Sequence, residues 1–363
     1  MKYSNEELRE INLKKKKYNT LYSNYYIRLH SELKDIKYKK RSERLSNCLD
    51  IWIFDKYEKN YILDLKSVNR CGLYRVCPNC KLLNQRKYYY KIVGEIERIK
   101  EQGYKLQLLT LTIPNCSADN LSNELDRLNK NFRKLFHKFN QPTETGFNGY
   151  KDRLAKMHAA LKSIEITYNH RKKTYHPHLH ILTVWDSDLD ETLLDKNIKG
   201  KYSFKKNQYN YHSILEMQVM KIWSLLDTGK RLTKKNLDSL PKLPDNKNDP
   251  EGQLRVIDLR DFDSNGLLEL LKYTVKDNDI DNYEVFKTII QSIENKRMKQ
   301  LYGTLWGIED SEEYEIGEYQ ELELSIEEYP QPLTITDIKE LFTKYKNYQK
   351  ISRFTPKSPD LLK

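Results

Sequence analysis

The order of periodic segments predicts an α+β fold, an antiparallel ferredoxin-like or RNA-recognition-type sheet with flanking helices, preceded by a helical and cysteine-knuckle module. Three observations carry this. From residue 106 onward the chain reads strand, helix, strand, strand, helix, strand. Two of those strands flank a polar turn and place two histidines and a carboxylate on one face. Four cysteines lie upstream, between residues 48 and 80.

The chain of 363 residues has room for two domains, or for one with additions. Its formal charge is +12, yet Glu309 to Glu328 holds ten carboxylates and no Lys or Arg, so the remainder stands at +22. A basic body with an acidic strip suggests a polyanionic partner such as nucleic acid. The same lysines also keep a protein soluble, and the abundance of Lys, Asn, Ile and Tyr fits an AT-rich genome. Met1 to Glu10 is charged and lacks the apolar core of a signal peptide, and no apolar tract approaches the roughly 20 residues of a membrane span. The expected compartment is the cytoplasm, with no membrane partner. Five cysteines in a chain of this size do not make a secreted disulfide scaffold.

Residues 1 to 47 are helical in period and basic, notably Lys14 to Lys17 and Lys37 to Arg44. Such a face lies along DNA phosphates or is simply solvated. Ile51-Trp52-Ile53-Phe54 is an expected strand. In Cys77-Pro78-Asn79-Cys80 a tight turn aims two thiolates at one point, and Cys48 with Cys71 would complete a tetrahedral structural Zn²⁺ site. A redox dithiol is the alternative, but its βαβ context is absent. Cys116 reads as an ordinary thiol. Leu82 to Lys100 is a basic, Tyr-rich helix, and Leu106 to Pro114 a strand. Ser117 or Asp119 then caps a helix whose Leu121, Leu125, Leu128, Phe132, Leu135, Phe136 and Phe139 recur at helical spacing.

In Leu161 to Asn169, Ser163, Glu165 and Thr167 alternate with apolar residues; after a polar turn over Asn169 to Lys173, the histidines sit at the beginning of a returning strand whose apolar tract is Ile181 to Trp185. Alternate residues share a face, so His178 and His180 point together. Pairing about positions 172 to 173 sets Glu165 opposite His180, and Glu165, His178 and His180 become a candidate divalent-metal site. A surface hairpin with histidines by chance is the alternative. His176 shares their parity, but Pro177 puts it at the strand's edge. Residues 212 to 226 are helical, 228 to 252 a polar loop, Leu254 to Arg260 a strand and Asn265 to Asp277 a helix. On that last helix Leu267, Leu268, Leu271 and Val275 form the apolar face, with Glu269, Tyr273 and Lys276 nearly opposite. Glu269 is also placed to pair with Lys272 at i+3.

Three of these stretches carry a resemblance. His178-Leu179-His180 before an apolar strand, Leu109-Thr110-Leu111-Thr112 on the earlier strand, and Lys272-Tyr273-Thr274-Val275-Lys276-Asp277 look like the three motifs of HUH endonucleases. More narrowly, the chain from about Cys48 to Gly303 resembles the single-tyrosine rolling-circle plasmid replication initiators (Rep proteins) with an upstream cysteine cluster. The resemblance implies a site- and strand-specific nickase. Tyr273 would attack an origin phosphodiester and hold the 5′ phosphate; Glu269 would act as general base on water at termination. Lys276 would contact the scissile phosphate or the metal, or serve only as a helix-end cation. Mn²⁺ or Mg²⁺ is the ion implied at the nuclease site, origin DNA the substrate, and a host helicase and DNA polymerase the partners. The division that follows is a basic helical and zinc-binding region (1–100), an endonuclease domain (101–280), a C-terminal helix completing it (281–307), and an acidic strip with an accessory helix (308–363). A transposase or relaxase with the same chemistry, and a non-catalytic zinc-containing DNA-binding protein, are the competing readings.

Overall fold

A computed structural model describes residues 5–48, 51–57, 62–68, 70–140, 155–203, 207–240, 254–255, 257–271, 279–280, 282–305 and 333–334. The chain divides into two compact units, one of residues 1–87, 282–287 and 313–363, the other of 88–281 and 288–312.

In the first unit, α1 (Asn5–Leu33) and α2 (Ile36–Ser46) form a helical hairpin. The chain turns at Lys34, in the left-handed region at φ 57°, and Asp35 caps α2 by accepting from the Lys37 amide at 3.0 Å. Tyr22, Tyr26 and Leu29 of α1 are buried, as are Tyr38 and Leu45 of α2. Between the helices the Ser23 and Ser42 hydroxyls meet at 2.7 Å. β1 (Ile51–Tyr57) and β2 (Ile62–Val68) pair antiparallel. The cysteine stretch then leads into α3 (Pro78–Glu101). That helix starts four residues earlier than its apolar period indicates, because proline fits the first helical position, where no amide hydrogen is needed.

The second unit holds β3 (Lys105–Thr112), α4 (Leu121–Asn140), β4 (Met157–Asn169), β5 (Thr174–Trp185), the hairpin β6 (Ile198–Ser203) and β7 (Gln208–His212), then α5 (Ile214–Asp227), the short α6 (Lys234–Asp238), β8 (Ile257–Asp261) and α7 (Ser264–Leu270). α8 (Tyr283–Ile293) and β9 (Lys299–Gly303) follow. The sheet runs β8-β3-β5-β4-β9, with every neighbouring pair antiparallel. β5 lies between β3 and β4, which α4 connects, and β3 lies between β5 and β8, which α5 connects. These two interlocked split βαβ units are the expected ferredoxin-like arrangement.

β9 adds a fifth strand that periodicity did not reveal. Its Lys299 and Gln300 are buried, so the segment lacks an apolar alternation, and Gln300 accepts from the Tyr302 hydroxyl at 2.9 Å. Gly303 ends the strand at φ 64°, where an added Cβ would sit 1.9 Å from the His158 carbonyl oxygen. No other residue type allows that approach. Within the first unit, Phe286 at the start of α8 stacks on Tyr22 at 5.5 Å, and β10 (Leu333–Thr334) pairs with β1. Among the described residues no helix is long and apolar enough to cross a membrane.

Both faces of the main sheet are covered. α4 and α5 lie on one: Phe139 meets the Trp185 ring edge-on at 5.5 Å, and Trp223 Nε1 donates to the Thr112 carbonyl at 2.9 Å. The apolar residues expected along α4 are all buried. On the other face Tyr88, Ile92, Ile96 and Ile99 of α3 and Leu267, Leu270 and Leu271 around α7 pack over Leu108, Leu161, Leu182 and Val184. Leu254 and Arg255 were expected to open β8, which instead begins at Ile257. The reason is a competing partner: the Arg255 amide donates to Ser224 Oγ at 2.8 Å and its guanidinium pairs with Asp227. Asp227, its side chain 1% exposed, is also paired with Arg127 of α4. Asp227→Ala leaves two arginines facing an empty acceptor, and is expected to lower unfolding free energy by about 3 kcal/mol in denaturant titration.

Candidate active site and metal centres

The face carrying α3 and α7 is apolar at one end only. At the other end Glu165 of β4 and His178 and His180 of β5 stand on it together. The register differs from the sequence expectation: Glu165 is opposite His178, and Ser163 is opposite His180. The cause is the turn. Asn169 Oδ1 accepts from the Lys172 amide at 2.9 Å, Lys173 takes φ 52°, and Asn169 pairs directly with Thr174. This tighter closure moves the ladder by two residues, which preserves side-chain parity.

Both imidazole Nε2 atoms converge on one carboxylate oxygen. His180 Nε2 is 3.1 Å and His178 Nε2 3.5 Å from Glu165 Oε2. Bonds of about 2.0–2.2 Å at octahedral or tetrahedral angles place neighbouring donors roughly 3.0–3.5 Å apart, so the three atoms fit one ion. The side chains of Glu165 and His180 are 6% exposed and that of His178 12%.

The far ring nitrogens are held too. His178 Nδ1 donates to the His176 carbonyl at 3.2 Å, leaving Nε2 as the metal donor. His180 Nδ1 faces Thr110 Oγ1 at 3.4 Å and Glu269 Oε1 at 3.7 Å. A hydroxyl and a carboxylate behind a ligating imidazole orient it and raise its basicity. The His176 ring stacks on His178 at 5.2 Å, and burial together with the His178 ring lowers its pKa.

Glu269 reaches this site from α7. Its other oxygen is bound by Arg260 of β8. The helix expected over Asn265 to Asp277 is described from Ser264 to Leu270; Tyr273 and Lys276, like Lys272 and the acidic strip, lie outside the described residues. Leu270, absent from the expected apolar face, is buried beside Leu267 and Leu271. Arg260 and the closeness of Glu269 to His180 join separate elements, and no single-segment period could have signalled them.

Cys48, Cys71, Cys77 and Cys80 form a second cluster, all buried, within the first unit. Their sulfurs are 3.8 Å (Cys48 to Cys80), 3.5 Å (Cys71 to Cys80) and 3.6 Å (Cys77 to Cys48) apart. A tetrahedral ion with metal–sulfur bonds of about 2.3 Å requires edges of roughly 3.8 Å, whereas a disulfide requires about 2.05 Å. Burial and hydrogen bonds among the thiols push Cys71 up. Burial also opposes ionisation of Cys77, but bonds from Cys48, Cys71 and Cys80 outweigh it and hold that thiol low. Cys80 sits in the first turn of α3. Cys116 stands apart, its thiol pushed up by burial to about 11.

A family model described as "Replication protein" matches residues 62–351. Among curated proteins the chain is 26% identical to a "Protein rep" of Bacillus sp over 262 residues, covering 70% of this chain and 73% of that one. It is likewise 26% identical to a "Protein rep" of Bacillus amyloliquefaciens over 276 residues, 73% of this chain and 69% of the relative. A "Protein rep" of Streptococcus pneumoniae is 30% identical over 142 residues, 39% and 40% of the two chains. No solved structure matches. If the four thiols hold one ion, Cys80→Ser is expected to abolish a tightly bound metal equivalent, and Cys116→Ser to leave it unchanged, as read by elemental analysis of purified protein.

Proposed function

The chain belongs to the replication protein (Rep) family, and from that premise we propose that it is a plasmid rolling-circle replication initiator that nicks one strand of the plasmid origin through a covalent 5′-phosphotyrosine link. The observation that carries this reading is the convergence of Glu165, His178 and His180 on one point of a rigid sheet face, with Glu269 behind His180. Mn²⁺ or Mg²⁺ bound there would polarise the scissile phosphate and hold it in line for attack. Tyr273 is the nucleophile: its phenolic oxygen bonds to phosphorus, the bond to the 3′ oxygen breaks, and that oxygen takes a proton to become a 3′-OH. The product tyrosyl ester is itself a phosphodiester, so a later 3′-OH can displace the tyrosine and close a circle.

Termination needs a second cleavage, and only one tyrosine stands in the motif. Glu269 supplies it as general base on a water molecule, from a position where Arg260 holds one of its oxygens and the other faces the metal ligands. Lys276 contacts the scissile phosphate. The free 3′-OH is a primer, which implies a DNA polymerase and a helicase of the host as partners. In the first unit, the four-cysteine cluster takes Zn²⁺ in a structural role, since four thiolates leave no open position.

Wild-type protein incubated with single-stranded origin DNA and Mn²⁺ is expected to give a denaturation-resistant protein–DNA adduct that Tyr273→Phe abolishes. Cutting by both would assign the attack to another nucleophile; cutting by neither, on a verified origin, would favour a non-catalytic DNA-binding protein. Glu269→Gln is expected still to form the adduct, at a rate lowered by the loss of the carboxylate behind His180, and to accumulate it, losing the water-dependent second cleavage in a time course.

A further inference from the structure

The β6–β7 hairpin takes no part in the metal face, yet its surface is unusual. Among the described residues six large apolar side chains are exposed, and Tyr209, Tyr211 and Ile214 are three of them. Tyr209 and Tyr211 are two apart on β7 and therefore share a face. Lys199 is the cross-strand partner of Tyr211, and its Nζ lies 3.7 Å from the Tyr209 ring centroid. From Lys196 to Leu215 the sequence has five lysines and no carboxylate. Lys196 is paired with Glu216 at 3.8 Å, which leaves the two exposed rings beside Lys199 as an interaction surface.

The hairpin is also anchored. A Cβ at Gly200 would meet His212 Nε2 at 2.7 Å, so glycine is what lets the imidazole pack on the opposite strand. His212 Nδ1 is 3.3 Å from Glu216 Oε1, and Glu216 completes the capping box of α5 with Ser213. From Glu216 the helix runs toward the metal end of the sheet, reaching Trp223, bonded to the Thr112 carbonyl, after roughly 10 Å of helix.

We propose that the β6–β7 hairpin is a platform for single-stranded DNA, on which Tyr209 and Tyr211 stack bases while Lys199 meets the phosphate backbone. The proposal rests on the reading of this chain as a DNA-nicking initiator. Unpaired strand is the occupant the chemistry selects, because an aromatic face reads the face of a base, which a duplex hides in its stack. The platform is anchored at the N-terminus of α5, a helix that covers the sheet face opposite Glu165, His178 and His180, so it takes strand away from the nick itself.

The test measures fluorescence anisotropy of the metal-loaded full chain on an oligothymidylate longer than about 16 nucleotides, the upper site size of comparable platforms. Tyr209→Ala/Tyr211→Ala is expected to weaken binding by roughly tenfold or more. Tyr209→Phe/Tyr211→Phe, which keeps both rings, is expected to bind as wild type does and shows that the hairpin folds. Lys199→Gln should reduce the slope of log affinity against log salt by about 0.7. On origin DNA with Mn²⁺ the double alanine variant should need more DNA for half-maximal adduct yet reach the same rate at saturation. Unchanged oligothymidylate binding by the double alanine variant would overturn the platform, as would an equal loss on a duplex. If wild type forms no adduct, the nickase reading falls while the binding comparison still decides the hairpin.

Discussion

Side-chain parity along the β4–β5 ladder is the constraint on which the candidate site stands. Leu179 and Ile181 are fully buried on one face of β5, and His178 and His180 project from the other. A slip of one residue would drive both imidazoles into the apolar layer under α4 and α5 and turn Glu165 away from them. Burying such polar groups without partners costs about 1–3 kcal/mol each, so the covered faces permit only shifts of even number. The site is therefore a consequence of the hydrophobic core, inherited from the packing of residues that touch no substrate.

This explains which expectations survived. The grouping of Glu165, His178 and His180 needed only parity, and parity is written in the alternation of each strand. Their pairing needed the turn, and the hydrogen bond from the Lys172 amide to Asn169 closed it two residues tighter than the polar stretch suggested. The ferredoxin-like order was readable because α4, β4 and β5 are strongly patterned. β9 and the β6–β7 hairpin were not: the former buries Lys299 and Gln300, and the latter is rich in lysine and exposes aromatics. Arg260 and its hold on Glu269 depend on β8 and α7 meeting in space, about which neither segment carries a local signal.

The two metal-competent clusters answer to different physics. Four buried sulfurs at 3.5–3.8 Å can surround an ion completely and gain from holding it still. The Glu165, His178 and His180 set offers three donors, so an ion held there would keep positions for exchangeable ligands. One arrangement suits a staple, the other a workbench.

The two imidazoles differ in what fixes them. His178 leans on the carbonyl of His176, part of the main chain just ahead of Pro177, and no side-chain replacement can withdraw that acceptor. His180 leans on Thr110 and Glu269, groups that a single codon change can swap. One ligand is thus hard-wired by backbone geometry while its neighbour is adjustable from outside the coordination sphere. An ion held by this set would be tunable through positions 110 and 269 with its three donors untouched.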